Sequence, residues 1–475
     1  MKIAFLHYNI GHRDGVNSVM RANAHSLLEK YKKCRIYFVG SSVRPLIEEH
    51  KDRVEQIDVP EMDILKKSKV EDYSKQEVYD YMKEGVDLFH KLDEILEDMD
   101  YVIFENPNIG VHPAVTYAYY RLVIKNAQRG IKRKLTYRMH DFAEDRRGNF
   151  INLMKFRGSE SSPYWHKVIF PRAENLSFIV INKKDFTKLQ SHGIIENNRP
   201  FYLPNPVNDR LYYDDKETSE KLRKKLIKKY SLNKYSKFLF YPVRIVPRKN
   251  VEEAIFLTQL LNIKFNENYV LVASLKPKGK ADLEYFNTLK KFVKEHKLPV
   301  ILGINDMVTL KRTYTKSKNI KTFGLGDMYN LCDKVISTST LEGFGLFFIE
   351  SWFFNKAIIG RDLPDITSDF KNKGINLEHL YNALFVDGSD FKDFGTLSKR
   401  LNLILKLDDS KFLQQLEDNN KQTFAGFYDP INTEDEEKLI KKNRKLVLDN
   451  YSTDVLAKEL KKILDKTPSR LEFKK

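Results

Sequence analysis

The feature that most constrains this chain is an alternation. Short runs rich in β-branched and aromatic residues recur between longer stretches of helical periodicity, the pattern that builds βαβ units and parallel sheets. It comes in two series. The first predicts strands over residues 3–8, 35–40, 101–105, 134–140 and 178–182; between the first two, Val16, Val19, Met20, Ala24, Leu27 and Leu28 share one helical face. The second predicts strands over 238–242, 269–273, 300–303, 334–337 and 357–360. Leu203-Pro204-Asn205-Pro206 punctuates the change. The expected division is therefore 1–205 and 206–435, with helices over 436–475 packing back across the domains. In that tail Val455, Leu456, Leu460, Ile463 and Leu464 share a face, with Ser452 as the N-cap. Two open α/β sheets in tandem are expected to leave a cleft between their strand C-terminal edges, where such sheets bind ligands.

Composition narrows the function classes. The chain has 475 residues, enough for two or three domains, and 41% of them are apolar. No run approaches 18 uninterrupted apolar residues, and the N-terminus has neither a signal-peptide nor a transit-peptide pattern, so a cytoplasmic protein is expected. Cys34 and Cys332 are far apart and lack metal-ligand spacing, so neither a disulfide framework nor a zinc site is indicated. The net charge of +17 favours anionic partners, among them nucleotide phosphates or an acidic membrane face. Lysine-rich runs such as KLRKKLIKKY also read simply as solvated helix faces. Nothing beyond charge resembles a nucleic-acid-binding module.

Chemistry concentrates in STSTLEGFGLFFIESWFFNKAII. A strand ends in a polar loop, and Glu342-Gly343-Phe344-Gly345 then leads into a helix carrying Glu350, expected about two turns inside it. Glycines at a strand-to-helix turn let backbone N–H groups approach a phosphate, and the helix N-terminus adds partial positive charge. Two carboxylates so spaced can reach different parts of an elongated ligand, as a nucleotide sugar requires. A plain loop with an acid at a helix start is the alternative.

The segment Glu342-Gly-Phe-Gly-Leu-Phe-Phe-Ile-Glu350 resembles the E-x7-E element of family 4 glycosyltransferases. Tyr241-Pro-Val-Arg244-Ile-Val-Pro-Arg248-Lys249-Asn250 is similar to the family segment in which a strand ends in Arg and Lys follows five residues later. Leu203-Pro-Asn205-Pro-Val207 resembles its interdomain turn, with Pro206 where Gly is usual, and NRKLVLDNYSTDVLAKEL its closing helices. In the first half only Gly15-Val16 matches the family's Gly-Gly-Val loop well, Gly11 being displaced, and His140 resembles its cleft histidine. The stretch KNIKTFGLGDMYNLCDKV carries an extra strand relative to many relatives.

This resemblance implies an α/β fold of the GT-B type: two Rossmann-like domains facing each other across a cleft, the C-terminal helix returning to the N-terminal domain. It implies retaining transfer of a hexose-type sugar from a UDP-, GDP- or ADP-sugar to an acceptor hydroxyl, with no metal and no other cofactor. Gly15, Val16, Gly343, Phe344, Gly345 and Leu346 would approach the donor, Arg244 and Lys249 its diphosphate, and Glu350 the ribose hydroxyls. Glu342 and His140 would meet the transferred sugar. Two cations and several amides around the leaving group fit the charge that develops there. No Asp-x-Asp triplet of the metal-dependent kind stands at the end of a strand. The first domain would hold a small polar or lipid-linked acceptor, and Arg138, Asp141, Arg146 and Arg147 are the candidate contacts. Peripheral contact with the inner membrane face stays open, and the competing readings are a GT-B nucleotide-sugar epimerase or sugar phosphorylase, and a non-catalytic nucleotide-sugar-binding or membrane-associated protein.

Overall fold

The structure, a computed structural model, describes every residue except 13, 48, 65–73, 146–148, 150–161, 195–199, 209–214, 278, 429–432 and 468–475. The chain divides into two units, Met1–Pro206 with Tyr451–Lys475, and Val207–Asn450.

The first unit is built on seven parallel strands: β1 (Lys2–Asn9), β2 (Arg35–Ser41), β3 (Val54–Asp58), β4 (Tyr101–Glu105), β5 (Lys134–Met139), β6 (Leu176–Val180) and β7 (Pro200–Tyr202). Their order is β3-β2-β1-β4-β5-β6-β7. The order reverses between β1 and β4, so the C-terminal ends of these two strands open the crevice where doubly wound sheets take ligands.

Helices cover both faces of the sheet, which is why its inner strands read as unbroken apolar runs. Along β1, Ala4, Leu6 and Tyr8 enter a core with Leu88, Leu92, Ala118 and Leu122, from the helices Lys75–Ile95 and Pro113–Arg129. Ile3 and Phe5 enter the opposite core with Met20, Leu27 and Leu28 of the helix Gly15–Lys30. Leu456, Ala457, Leu460, Ile463 and Leu464 of the terminal helix Thr453–Lys466 complete that second core. Each such side chain contributes about 2 kcal/mol by leaving water, and Tyr101 OH donates to Asp465 at 2.8 Å beside them. Ser452 stands at the N-cap, but its side chain makes no capping bond.

The second unit repeats the topology with β8 (Lys237–Arg244), β9 (Tyr269–Leu275) and β10 (Val300–Leu302). A three-stranded sheet follows, from β11 (Val308–Thr309), β12 (Thr313–Tyr314) and β13 (Ile320–Gly324); then come β14 (Lys334–Ser337), β15 (Ile358–Gly360) and the small pair β16 (Phe385–Val386) and β17 (Ser389–Asp390). The main sheet runs β10-β9-β8-β14-β15, all parallel, and reverses between β8 and β14. Strand β13 lies within the stretch read from sequence as carrying an extra strand.

Three expectations need correction. The predicted strand at 178–182 is β6, two residues earlier. Strands β3 and β7 were not anticipated; both are sheet edges, one polar (VEQID) and one opening on Pro200. The segment 436–450 belongs to the second unit, not to a returning tail. Asn443 exchanges hydrogen bonds with the backbone of Asn376 at 2.9 and 2.8 Å, and Glu436 pairs with Lys334, so the helix Thr433–Tyr451 is tied to that unit's own core. Of the described tail, Tyr451 onward, with the helix Thr453–Lys466, returns to the first unit. Among the described residues no helix is long and apolar enough to cross a membrane.

Candidate active site

Two loops meet at the reversal of the second sheet: 245–250, leaving β8, and 338–346, leaving β14. Neighbouring parallel strands deliver both to the same edge, and hydrogen bonds then zip them together. Tyr241 OH, on β8, donates to Lys249 O at 2.8 Å and shares a 2.8 Å bond with Ser339 Oγ. Thr338 Oγ1 donates to Asn250 O at 2.8 Å, and Thr340 N–H to Arg248 O at 2.9 Å. Burial pushes the Tyr241 phenol far above its ordinary range, so it stays a neutral donor.

The two charged residues picked out in these loops meet each other. Lys249 Nζ contacts Glu342 Oε1, both side chains being 8% exposed, while Arg248 reaches Glu342 Oε2 at 3.4 Å and Leu341 O at 2.7 Å. Lys249 Nζ also lies 5.6 Å from the centre of the Phe347 ring. Arg244 stands exposed at the end of β8, with no carboxylate partner among the described residues. One loop thus follows a guanidinium with no carboxylate partner among the described residues and carries a lysine already engaged by a carboxylate.

The glycine bend follows at once. Gly345 has φ 72°, and a Cβ there would lie 2.7 Å from Phe348 Cδ2, so both backbone and packing require glycine. Phe344 is buried, Leu346 caps the next helix in helical conformation, and the N–H groups of Gly345 and Leu346 have no acceptor among the described residues. The helix, Phe347–Phe353, starts later than expected, which puts Glu350 in its first turn rather than two turns inside. Glu350 accepts from Tyr329 OH at 3.2 Å. The residue is half-buried, and burial pushes its pKa up to about 7 although the tyrosine bond opposes the shift.

In the first unit, Gly15 opens the helix Gly15–Lys30 and Val16 follows it; Asp14 caps the helix by accepting from Asn17 N–H at 2.8 Å. Nothing lies within 4 Å of a Cβ built on Gly15. The glycine this loop needs is Gly11, whose φ is 76° and whose added Cβ would lie 2.1 Å from Arg44 O.

His140 follows β5 and is 5% exposed; its Nε2 lies 2.6 Å from Oε2 of the fully buried Glu105, the last residue of β4. Asn106 clamps the turn, accepting from the backbone N–H of His140 at 2.7 Å and of Asp141 at 3.1 Å. His7 Nδ1 donates to Glu105 O at 3.3 Å, and burial lowers the His7 pKa, keeping that ring neutral. Burial raises the Glu105 pKa, but His140, Arg138 and His7 outweigh it and hold the carboxyl below its ordinary value.

Arg138, read from sequence as part of an acceptor loop, is instead fully buried within β5, where it bonds Asn205 Oδ1 at 3.2 Å. A strand of this sheet is enclosed on both faces, so the side chain never reaches the loop. Arg146 and Arg147 lie outside the described residues. Sequence reasoning missed Glu105, Asn106 and His7. The available signal was a strand, YVIFE, that ends in an acid followed by Asn-Pro-Asn at a parallel sheet's C-terminal edge.

No family model matches the chain. Over 369 residues, 76% of its length, it is 28% identical to mannosylglucosyl-3-phosphoglycerate synthase of Petrotoga mobilis, and the match spans 65% of that protein. It is 25% identical over 445 residues to mannosylglucosylglycerate synthase of Thermotoga maritima, covering 88% of this chain and 95% of that one. Among solved structures it is similar to sucrose-phosphate synthase from Thermosynechococcus elongatus (TM-score 0.59, 12% identity, 98% of each chain). It is also similar to Anabaena HepE in complex with UDP and glucose (TM-score 0.57, 13% identity, 98% of this chain and all of that one).

Proposed function

We propose that this chain, which has the GT-B fold of glycosyltransferases, is itself one: it moves a hexosyl group from a nucleotide sugar to a hydroxyl of a small anionic acceptor, with retention and without a metal. The observation that carries the reading is the engagement of Lys249 by Glu342, in loops that also carry the Gly345 bend and follow Arg244, which has no carboxylate partner among the described residues. Those parts suit a sugar diphosphate. Arg244 forks two phosphate oxygens, and the diphosphate draws Lys249 away from Glu342. The released carboxylate then accepts hydrogen bonds from the hydroxyls of the transferred sugar. The exchange keeps Glu342 and Lys249 each charged and partnered in both states, so neither is left buried alone. Glu350 takes the ribose hydroxyls.

As the glycosidic bond to the phosphate breaks, negative charge grows on the departing oxygen. Arg244, Lys249 and the amides of Gly345 and Leu346 are the fixed dipoles and cations that stabilise it. The acceptor attacks on the same face, and the leaving phosphate takes its proton, so no protein nucleophile is required. In the first unit Glu105 accepts from His140 Nε2–H, which fixes the tautomer and turns Nδ1 into the nitrogen open to a sugar hydroxyl.

The acceptor class rests on the relatives, whose names describe products that join mannosyl and glucosyl groups to glycerate or phosphoglycerate. The net charge of +17 suits an acceptor bearing carboxylate or phosphate. Supplying UDP-glucose, GDP-mannose or ADP-glucose with glucosylglycerate or its 3-phosphate, in EDTA, tests the whole reading. The expected result is one donor turning over with one of these acceptors, the product keeping the donor's anomeric configuration. Donor conversion without acceptor would favour an epimerase, phosphate-dependent release a phosphorylase, and binding without turnover a non-catalytic protein.

A further inference from the structure

A second cluster lies in the first unit, on side chains that the transfer reaction does not use. His25 and Glu29 stand one turn apart on the helix Gly15–Lys30, and Glu49 and His50 lie in the β2–β3 connection that folds over it. One ligand atom from each of His25, Glu29 and His50 lies within 4.8 Å of the other two. His25 is 2% exposed, whereas Glu29 and Glu49 have side chains about half exposed, at 48% and 47%. The cluster therefore has a buried floor and an open rim.

We propose that His25, Glu29 and His50 bind one divalent transition-metal ion of the Zn2+ class, with Glu49 orienting His25 from behind. The two ring nitrogens of His25 face different carboxylates: Nδ1 is 3.9 Å from Glu29 Oε1, and Nε2 is 3.6 Å from Glu49 Oε2. A ligating imidazole uses one nitrogen for the metal and donates its other N–H to an outer carboxylate. Nδ1, on the Glu29 side, is the ligand here, and Glu49 is the outer partner. Ligand atoms of a tetrahedral zinc site lie roughly 3.3 Å apart, given bonds of about 2.0 Å. The spacing at this cluster closes to that value by small rotations of the exposed Glu29 and the half-buried His50. Two imidazoles and one carboxylate leave a fourth position for water, a donor set that suits Zn2+ and not Mg2+ or Ca2+.

One group opposes the ion. Arg53 donates to His50 Nδ1 at 3.0 Å, while its NH1 is held by Leu28 O at 2.8 Å. A metal must compete with that guanidinium for a lone pair of His50. When it wins, the ion staples the His50 end of the β2–β3 connection to the helix. The same connection also carries Arg44, whose N–H bonds Ile10 O at 3.0 Å beside the Gly11 turn.

The test uses the full-length, untagged chain after EDTA dialysis, titrated with Zn2+ by calorimetry and with Co2+ by visible absorption. One ion per chain is expected, with a raised melting temperature and Co2+ ligand-field bands. Glu29→Gln and His50→Gln should each weaken binding at least 10-fold, with circular dichroism of the metal-free variants matching the parent. Glu49→Gln should weaken it about 10-fold without altering the Co2+ spectrum, and Arg53→Gln should tighten it. No saturable binding, or binding unchanged in the Glu29→Gln/His50→Gln double variant, overturns the proposal.

Discussion

Replacing Glu350 with Gln should change how the second unit's stability depends on pH. Burial lifts this carboxyl from an ordinary value of 4.5 to about 7, so the folded chain holds the proton more tightly than the unfolded chain does. The sign follows from that. The stability it contributes is complete below pH 4.5 and is lost as pH rises through 7, where folding must keep a charge in a partly desolvated place. Each tenfold gain in proton affinity on folding corresponds to about 1.4 kcal/mol. Between pH 5 and pH 8 the native chain should therefore lose about 2–3 kcal/mol that Glu350→Gln does not lose. Glutamine keeps the shape and can still accept from Tyr329 OH.

A chain of two units does not unfold in two states, so the assay needs a reporter confined to one of them. The chain has two tryptophans, and Trp352 is fully buried in the same helix as Glu350. In a Trp165→Phe background its fluorescence reports denaturant unfolding of the second unit alone. Taking the difference between the native residue and Gln at each pH cancels every other titrating group. Parallel pH profiles for the two proteins would refute the reasoning, because they would mean that the Glu350 carboxyl is already ionised at ordinary pH in the folded chain.

Arg244→Ala should abolish the rise in melting temperature caused by the nucleotide-sugar donor while leaving that of the free protein unchanged, since the residue is exposed and without a carboxylate partner among the described residues. Lys249→Met should lower kcat/KM by about 100-fold or more, measured with the best donor–acceptor pair. Gly345→Ala should cost about 1–3 kcal/mol in denaturant unfolding, because φ 72° and the nearby Phe348 ring both exclude a side chain. Gly15→Ala, with open space around it, should leave melting within a degree or two of the parent. Glu105→Ala should destabilise the first unit by about 3–5 kcal/mol, read by Trp165 fluorescence in a Trp352→Phe background, because it strips a buried carboxylate from His140 and Arg138.

How much of this was legible in the sequence depended on strand order. Strands enclosed on both faces announce themselves as apolar runs, so β1, β4, β8, β9 and β14 were found nearly to the residue. The edges β3, largely polar, and β7, three residues opening on a proline, carry no such run, whereas the apolar edges β10 and β15 do and were found. The site divided along the same line. Local geometry makes Gly345 and Glu350 visible, since a bend and a helix start are written in consecutive residues. Lys249 and Glu342 are 93 positions apart, and nothing in either segment says that they touch. Their contact exists because β8 and β14 are neighbours, a fact about which strand crosses over to which. Glu105 and His140 are joined in the same way through β4 and β5. Arg138 shows the converse error. Two residues before His140 in a strand, it shares that residue's side of the sheet, but the strand's position inside the sheet, not its local charge pattern, decides that Arg138 is walled in while His140 lies at the edge. A sequence motif can therefore name the groups that carry charge to a site, whereas which charge neutralises which is settled only when the crossovers fix the neighbours.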